Sequence, residues 1–425
     1  MTKQKFYLET YGCSANVADG EIMAGLLKEN SLISVEEPEK ADVNIIVTCT
    51  VKTASSHRMM HRIKRLSSSN RPLVVAGCMP KTERGLIENI NPKVSLLGPE
   101  DLNRTVETVK AAIKGVQSIH LEGTILPNLL FPRIRRNQII GIVKISSGCL
   151  GNCTFCQVKI AKGELTSYSP ISINSEVKVA LKNGCKEIWL TSQDNGCYGK
   201  DIGTDLVSLS NSILSIKGDF KIRLGMMNPE YVHNMIDKLM SVLRDEKFFK
   251  FLHLPVQCGS NLVLKAMRRT YTIEDFINSV KRFRHDFPLS TLSTDIIVGY
   301  PTETEEDFQK TINLIKEIKP DIVNISKYGA RPGTQSERML QLDSRIVKAR
   351  SKELHRIVQD TTLLNNVQWI GWRGKVLIDE KVRGAVVGRN FAYRPVIIKK
   401  QITLGKVLDI EVINATSACL VGKPT

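Results

Sequence analysis

Short apolar runs followed by segments of helical spacing recur along the first ninety residues. KFYLETYG precedes a helical pattern near Val17 to Glu29, VNIIVT precedes one near Ala54 to Leu66, and PLVVAG precedes one near Glu83 to Asn89. Parallel sheets are built from such units, so residues 1–114 read as an N-terminal parallel α/β domain. Cys13, Cys49 and Cys78 each follow the apolar run of a different strand. In an open α/β sheet those carboxyl ends point into one crevice, where ligands bind, and three distant thiols are thereby predicted to converge.

Residues 115–136 form a connector ending in the basic PRIRR. Six further strand-then-helix units follow, starting at QIIGIVKIS, KEIWLTS, FKIRLGM, FKFLHLPV, TLSTDIIVG and DIVNISKY. Thr272 with Asp275 and Thr304 with Asp307 are spaced as capping boxes ahead of apolar helical faces. Six units are fewer than the eight of a closed (β/α)₈ barrel, so residues 137–367 predict an open, partial (β/α)6 barrel with its site at the strand carboxyl ends. A last helical pattern runs from Ser344 to Val367. From 368 to 425 the period shortens to alternating segments separated by glycines and basic residues, the mark of a small β-barrel.

Composition adds a partner to this picture. The 425 residues are 42% hydrophobic and 24% charged, with a formal charge of +17, a surplus that speaks of partners more than of fold. Seven basic residues and no acid lie between Val43 and Thr82, Lys52 among them, and the last sixty residues carry ten basic side chains against four acids. Any one stretch is explained by a solvated face, but two separated basic regions point to a polyanion such as RNA. No apolar run approaches about 18 residues, so no membrane segment is expected and the chain reads as cytoplasmic. Ten cysteines in such a chain are free, metal-bound or catalytic rather than disulfide-linked.

The chemistry concentrates in GCLGNCTFC, where Cys149, Cys153 and Cys156 crowd a loop leaving the first barrel strand. A closed zinc or iron-sulfur site takes four ligands, and the next cysteine, Cys185, lies 29 residues on. Three thiolates leave a metal position open. Cys-x3-Cys-x2-Cys with Phe155 before the last cysteine resembles the signature of radical S-adenosylmethionine (SAM) enzymes. That resemblance implies a [4Fe-4S] cluster on Cys149, Cys153 and Cys156 whose free iron binds SAM, which one electron cleaves to methionine and a 5′-deoxyadenosyl radical.

The whole plan is similar to that of the methylthiotransferases: a three-cysteine α/β domain (ETYGCSANVADGE, VTCTVKTASS, VVAGCMPK), a radical SAM domain, and a basic TRAM domain that binds RNA. LHLPVQCGS, MRRTYTIEDF, STDIIVGYPTETEEDF and KYGARPGT also resemble the family. TYGCSAN, TCTVKTA, CQVKIAKGEL and RLGMMNP look most like its archaeal and eukaryotic branch, which acts on N6-threonylcarbamoyladenosine (t6A) at position 37 of tRNA. The resemblance implies a second [4Fe-4S] cluster on Cys13, Cys49 and Cys78 that holds the transferred sulfur. It also implies the tRNA anticodon stem-loop as substrate, an electron donor of the flavodoxin or ferredoxin type, and a monomer. Two positions depart from the family: Lys162 precedes Gly163 where arginine is usual, and Thr302 stands where glycine precedes Glu303 and Thr304.

Polar residues at strand ends are the candidate SAM contacts, with Phe155: Gln193, Asp194, Arg223 and Asp295. Set against this, Asp194 opens a DNG turn and Arg223 is suited to an ordinary salt bridge. His253 and Gln257 read as structural, and Cys185, Cys197, Cys258 and Cys419 as small packed residues, with Cys197 near the cavity mouth. Arg58, Arg62 and Arg65 share a helix face suited to phosphate or simply to water. Trp369, Trp372, Phe391 and Tyr393 are suited to core packing or to stacking on bases. The same chemistry on isopentenyladenosine or on a ribosomal-protein aspartate, and a non-catalytic RNA-binding protein with structural metal sites, are the alternative functions.

Overall fold

A computed structural model describes residues 3–51, 53–123 and 129–425. Lys52 and part of the connector, residues 124–128, lie outside them, as does the side chain of Ala54. The first sheet is fully parallel in the order β2-β1-β3-β4-β5-β6: β1 Lys5–Thr10, β2 Ile33–Val35, β3 Val43–Thr48, β4 Leu73–Gly77, β5 Ser95–Leu97 and β6 Ile119–His120. Every residue of VNIIVT is buried because helices cover both faces. Ile45 and Val47 pack with Ile22 and Leu27 on one side, and Ile46 packs with Met59 and Ile63 on the other.

The six barrel strands occur where the sequence places them. β7 Ile140–Lys144 is followed by a short ribbon, β8 Ser146–Ser147 with β9 Thr166–Ser167, and then by β10 Glu187–Thr191 and β11 Lys221–Leu224. β12 Phe251–His253, β13 Thr291–Val298 and β14 Ile322–Lys327 complete the set. The long strands form two parallel three-stranded sheets, β11-β10-β7 and β12-β13-β14, so the barrel is partial, as expected from six units. Both capping boxes are formed, at Thr272 and Thr304. Thr302 is not among the residues of positive φ, so the loss of the family glycine requires no unusual backbone. Glu303 instead accepts from Gly299 N at 2.8 Å and Arg350 at 2.9 Å.

The helix Ser344–Val367 leads to a closed antiparallel-dominated barrel of five strands, β15 Arg373–Val382, β16 Ala385–Arg389, β17 Pro395–Ile398, β18 Val407–Ala415 and β19 Leu420–Pro424. Trp369 lies in its core with Trp372 against it, and Tyr393 packs on Phe249 and Phe251 of the larger barrel, whereas Phe391 stays exposed. Among the described residues no helix is long and apolar enough to cross a membrane.

The helix Ser14–Glu29 joins the first two units. It sends Ile22 and Leu27 into its own sheet, and Ala18 against Ile140 and Ile142 of β7. Squeezed on two sides, it buries polar Asn16, Asp19 and Glu21 as well. The connector packs on it so closely that a Cβ at Gly25 would fall 2.2 Å from Pro132 O. Two of the three arginines of PRIRR are drawn inward too, with Arg133 Nε 3.0 Å and Arg135 Nη2 3.9 Å from buried Glu176, while Arg136 stays exposed.

Candidate two-cluster site

Three adjacent strands deliver the first thiol trio. Cys13, Cys49 and Cys78 follow β1, β3 and β4, and Cys78 N bonds Thr48 O at 3.0 Å, which fixes two of the ends side by side. Gly12, with φ +111°, lies so close that a Cβ there would come within 2.9 Å of Cys49 Sγ. The backbone at that point can be occupied only by glycine, and the crevice stays open beside the thiol. Cys49 and Cys78 are buried and Cys13 is exposed. Burial, with the neighbouring Cys13, pushes the Cys49 thiol up, and burial pushes Cys78 further.

The second trio sits on a loop pinched at its base by the β8-β9 ribbon. Gly148, φ +74°, is pressed against Glu164 O, where a Cβ would lie at 1.9 Å. Gly151 N donates to Cys149 Sγ at 3.2 Å, and Arg269 Nη1 donates to Cys153 Sγ at 3.2 Å. Burial pushes Cys156 up to about 11. A bare thiolate is therefore costly here, and a metal that binds it must displace the proton. Cys197 stands beside Cys149, and their Sγ atoms and an Asp194 oxygen lie within 4.8 Å of one another. The neighbouring Cys149, and then burial, push the Cys197 thiol up, while Cys197 lowers Cys149. The Cys197 thiol donates to Asp194 O at 3.3 Å, so Cys197 is a neutral neighbour of Cys149.

The two trios face each other. Thr50, next to Cys49, donates from its hydroxyl to the Oε1 of Gln157, next to Cys156. The guanidinium of Arg331 is within electrostatic reach of both Cys49 and Cys156, is anchored on Ser56 Oγ at 2.9 Å, and keeps Nη2 buried without a partner. Asp19 ties the same seam from below, with Lys144 Nζ at 2.5 Å and Lys162 Nζ at 3.5 Å. Burial opposes the charge of Lys162, but Asp19 and then Cys78 outweigh it and hold the ammonium above the usual lysine range. Each trio offers three thiols with cations nearby, which suits a [4Fe-4S] cluster with one uncoordinated iron.

The remaining candidates are placed as follows. Gln193 is half-buried at the end of β10 with Oε1 lacking a partner. Phe155 packs edge-on to Tyr300 at 6.5 Å. Asp194 is buried, and its Oδ1 accepts from Gly196 N at 2.9 Å and Asn228 N at 3.0 Å, which is the turn role of DNG. Asp295 bonds His253 at 3.3 Å and Asn324 at 2.7 Å. Arg223 is boxed by Trp189, Phe251 and Tyr393, each ring centre 5.0–5.3 Å from its guanidinium carbon. Arg62 is paired with Glu9 at 2.7 Å, while Arg58 and Arg65 remain exposed. A cavity of about 610 Å³ lined by Glu100, Asp101, Arg104 and His120 opens at the edge of the first sheet and holds none of the cysteines. Sequence reasoning missed Asp19, Lys144, Arg269 and Arg331 as site residues. Asp19 in ETYGCSANVADGE, the double arginine of MRRTYTIEDF and the arginine of ARPGT stand in stretches that resemble the family, and Lys144 does not.

The chain is similar to known proteins over nearly all of its length. Residues 5–98 match the uncharacterized protein family UPF0004, and residues 143–315 match the radical SAM superfamily. A Pyrococcus horikoshii protein named "Probable threonylcarbamoyladenosine tRNA methylthiotransferase" is 42% identical over 424 residues, covering 99% of each chain. The Xenopus laevis threonylcarbamoyladenosine tRNA methylthiotransferase is 35% identical across 99% of this chain and 77% of its own length. A radical SAM methyltransferase structure from Kitasatospora setae shares the fold at TM-score 0.57 and 13% identity, covering 79% of this chain and 75% of that one. With two matching domains and full-length relatives on both sides of the archaeal and eukaryotic divide, this chain belongs to the family of threonylcarbamoyladenosine tRNA methylthiotransferases.

Proposed function

We propose that this protein adds a methylthio group at C2 of t6A at position 37 of tRNA, giving ms2t6A. Cys149, Cys153 and Cys156 hold the cluster that binds SAM, and Cys13, Cys49 and Cys78 hold the auxiliary cluster. When bound, these groups supply a radical for an unactivated ring carbon and the sulfur to be attached there. The observation that carries the reading is the meeting of the trios: Thr50 touches Gln157, and Arg331 is within electrostatic reach of both Cys49 and Cys156.

The chain's own residues prepare that chamber. Gly151 N–H and Arg269 stabilise thiolate charge at Cys149 and Cys153, as hydrogen bonds to sulfur do in iron-sulfur sites. Among the proposed SAM contacts, Gln193 Oε1 and Arg223 Nε are buried without a hydrogen-bond partner, while Asp194 and Asp295 already have partners. The C-terminal barrel, read as a TRAM domain spanning 368–425, supplies a basic surface for the anticodon stem-loop. Its exposed Lys381, Arg383, Lys399 and Lys400 are the phosphate contacts we infer. We infer a cytoplasmic monomer served by a flavodoxin- or ferredoxin-type donor.

Nucleoside analysis of a deletion strain tests the target. Loss of ms2t6A is the expected result, and intact ms2t6A with altered isopentenyladenosine or ribosomal protein refutes it. Anaerobically purified protein should contain about eight iron atoms per chain, whereas an RNA-binding protein with structural zinc contains none. Cys149→Ala should abolish SAM cleavage, and Cys49→Ala should spare cleavage while stopping sulfur transfer. Normal methylthiolation by Cys49→Ala would overturn the division of labour.

A further inference from the structure

One buried carboxylate holds two ammonium groups where the first sheet meets the larger barrel. Asp19 lies on the helix that begins just after Cys13, Lys144 ends β7 ahead of Cys149, and Lys162 ends the short helix Val158–Lys162 that follows Cys156. The side chains of Asp19, Lys144 and Lys162 are 2%, 6% and 4% exposed. Two cations and one anion sealed from water leave a surplus positive charge, and a buried charge is retained only where something opposite compensates it.

The compensating group lies on the far side of Lys162. The helix Met79–Thr82, capped by Cys78, packs directly on Val158–Lys162, and after Asp19 the strongest negative influence on Lys162 is Cys78, with Glu100 and Cys13 following. Glu100 is already engaged by Lys81 at 3.0 Å. A metal that binds the first trio displaces the thiol protons, and the resulting thiolates are the anions that balance the second lysine.

We propose that Lys162 is a positioning residue of the auxiliary site: its ammonium is the counter-ion of the Cys13, Cys49 and Cys78 thiolates and raises the reduction potential of the cluster they hold. This rests on the reading that the trio binds a [4Fe-4S] cluster. Net charge and local electrostatics set such potentials, and a fixed cation favours the reduced state because that state carries one more negative charge. The lysine stands where the family usually has arginine, so the charge is kept while the planar fork is not.

The test uses full-length protein in which Cys149, Cys153 and Cys156 are all alanine, reconstituted with iron and sulfide without oxygen. Folding is checked by tryptophan fluorescence, and the cluster is read by a reductive titration followed by electron paramagnetic resonance. The parent should bind about four iron atoms. Lys162→Met should shift the midpoint to more negative potential or lose the cluster from a folded chain, and Lys162→Arg should restore the parent behaviour. A folded Lys162→Met protein with the parent's midpoint overturns the proposal, as does loss of the cluster in the methionine and arginine variants alike. A parent that binds no cluster overturns the auxiliary-cluster reading itself.

Discussion

Replacing Arg394 by methionine should loosen the C-terminal barrel from the rest of the molecule. Arg394 donates to Asn366 Oδ1 at 2.7 Å from one terminal nitrogen and pairs with Asp321, just ahead of β14, through the other. Both ionic side chains are nearly sealed, at 4% and 6% exposure, and the guanidinium also lies over the Trp369 ring at 5.7 Å. Methionine keeps most of the apolar stem but strands the carboxylate. Asp321 would retain Leu292 N and Asn365, each at 2.8 Å, with Arg284 only at 4.0 Å. Breaking a buried pair by removing one partner costs about 3–5 kcal/mol. The surviving contacts place this case near the lower end, about 3 kcal/mol, or roughly a 150-fold change in the docking equilibrium. Trp189, Trp369 and Trp372 all lie in or beside this interface, so urea unfolding followed by tryptophan fluorescence reads it directly. Adding Asp321→Leu should recover much of the loss, because replacing both members of a buried pair by apolar groups is often close to neutral. A cost below about 1 kcal/mol, the scale of an exposed pair, would refute the reasoning.

Other outcomes follow from single residues. Burial pushes Glu176 up to about 7 despite Arg133 and Arg135, because Arg133 Nε stands 3.0 Å away without a hydrogen bond being made. Its folded value exceeds the unfolded one of about 4.5, so the unfolded chain loses its proton first and stability falls as pH rises from about 4.5 to 7. Glu176→Gln should remove that slope, which is worth up to about 3 kcal/mol, and an unchanged pH profile of urea midpoints would contradict it. Thr304→Ala should cost about 1 kcal/mol by opening the capping box with Asp307, as measured by the same unfolding curves. Lys399→Gln with Lys400→Gln should weaken tRNA binding and lower the slope of log affinity against log salt by about 0.9 for each phosphate no longer neutralised. An unaltered slope would place RNA recognition elsewhere on the molecule.

Much of this architecture is local in origin and was therefore legible in the chain. Alternation and helical spacing locate the six barrel strands, the helix Ser344–Val367 and the change of period at the C-terminal barrel, because burial of one face is written residue by residue. The cysteine trios were also visible, since Cys13, Cys49 and Cys78 each follow a strand whose carboxyl end has a known direction, and Cys149, Cys153 and Cys156 crowd one short loop. The setting of Arg223 was not legible: three aromatic rings box its guanidinium, one of them Tyr393, 170 residues away, while its Nε is left without a hydrogen-bond partner. The basic PRIRR, read only as the end of a connector, supplies buried partners for Glu176 through Arg133 and Arg135.

The sequence by itself determined the repeating units, the two sets of three thiols and the basic tail, because spacing and composition are properties of neighbours along the chain. The tertiary structure decided that Thr50 meets Gln157, that Arg331 comes within electrostatic reach of Cys49 and Cys156, and that Asp19 binds Lys144 and Lys162. A pattern specifies that a side chain is buried but not which distant charge will meet it, and in the dry seam between the first sheet and the larger barrel that pairing sets the electrostatics of the site.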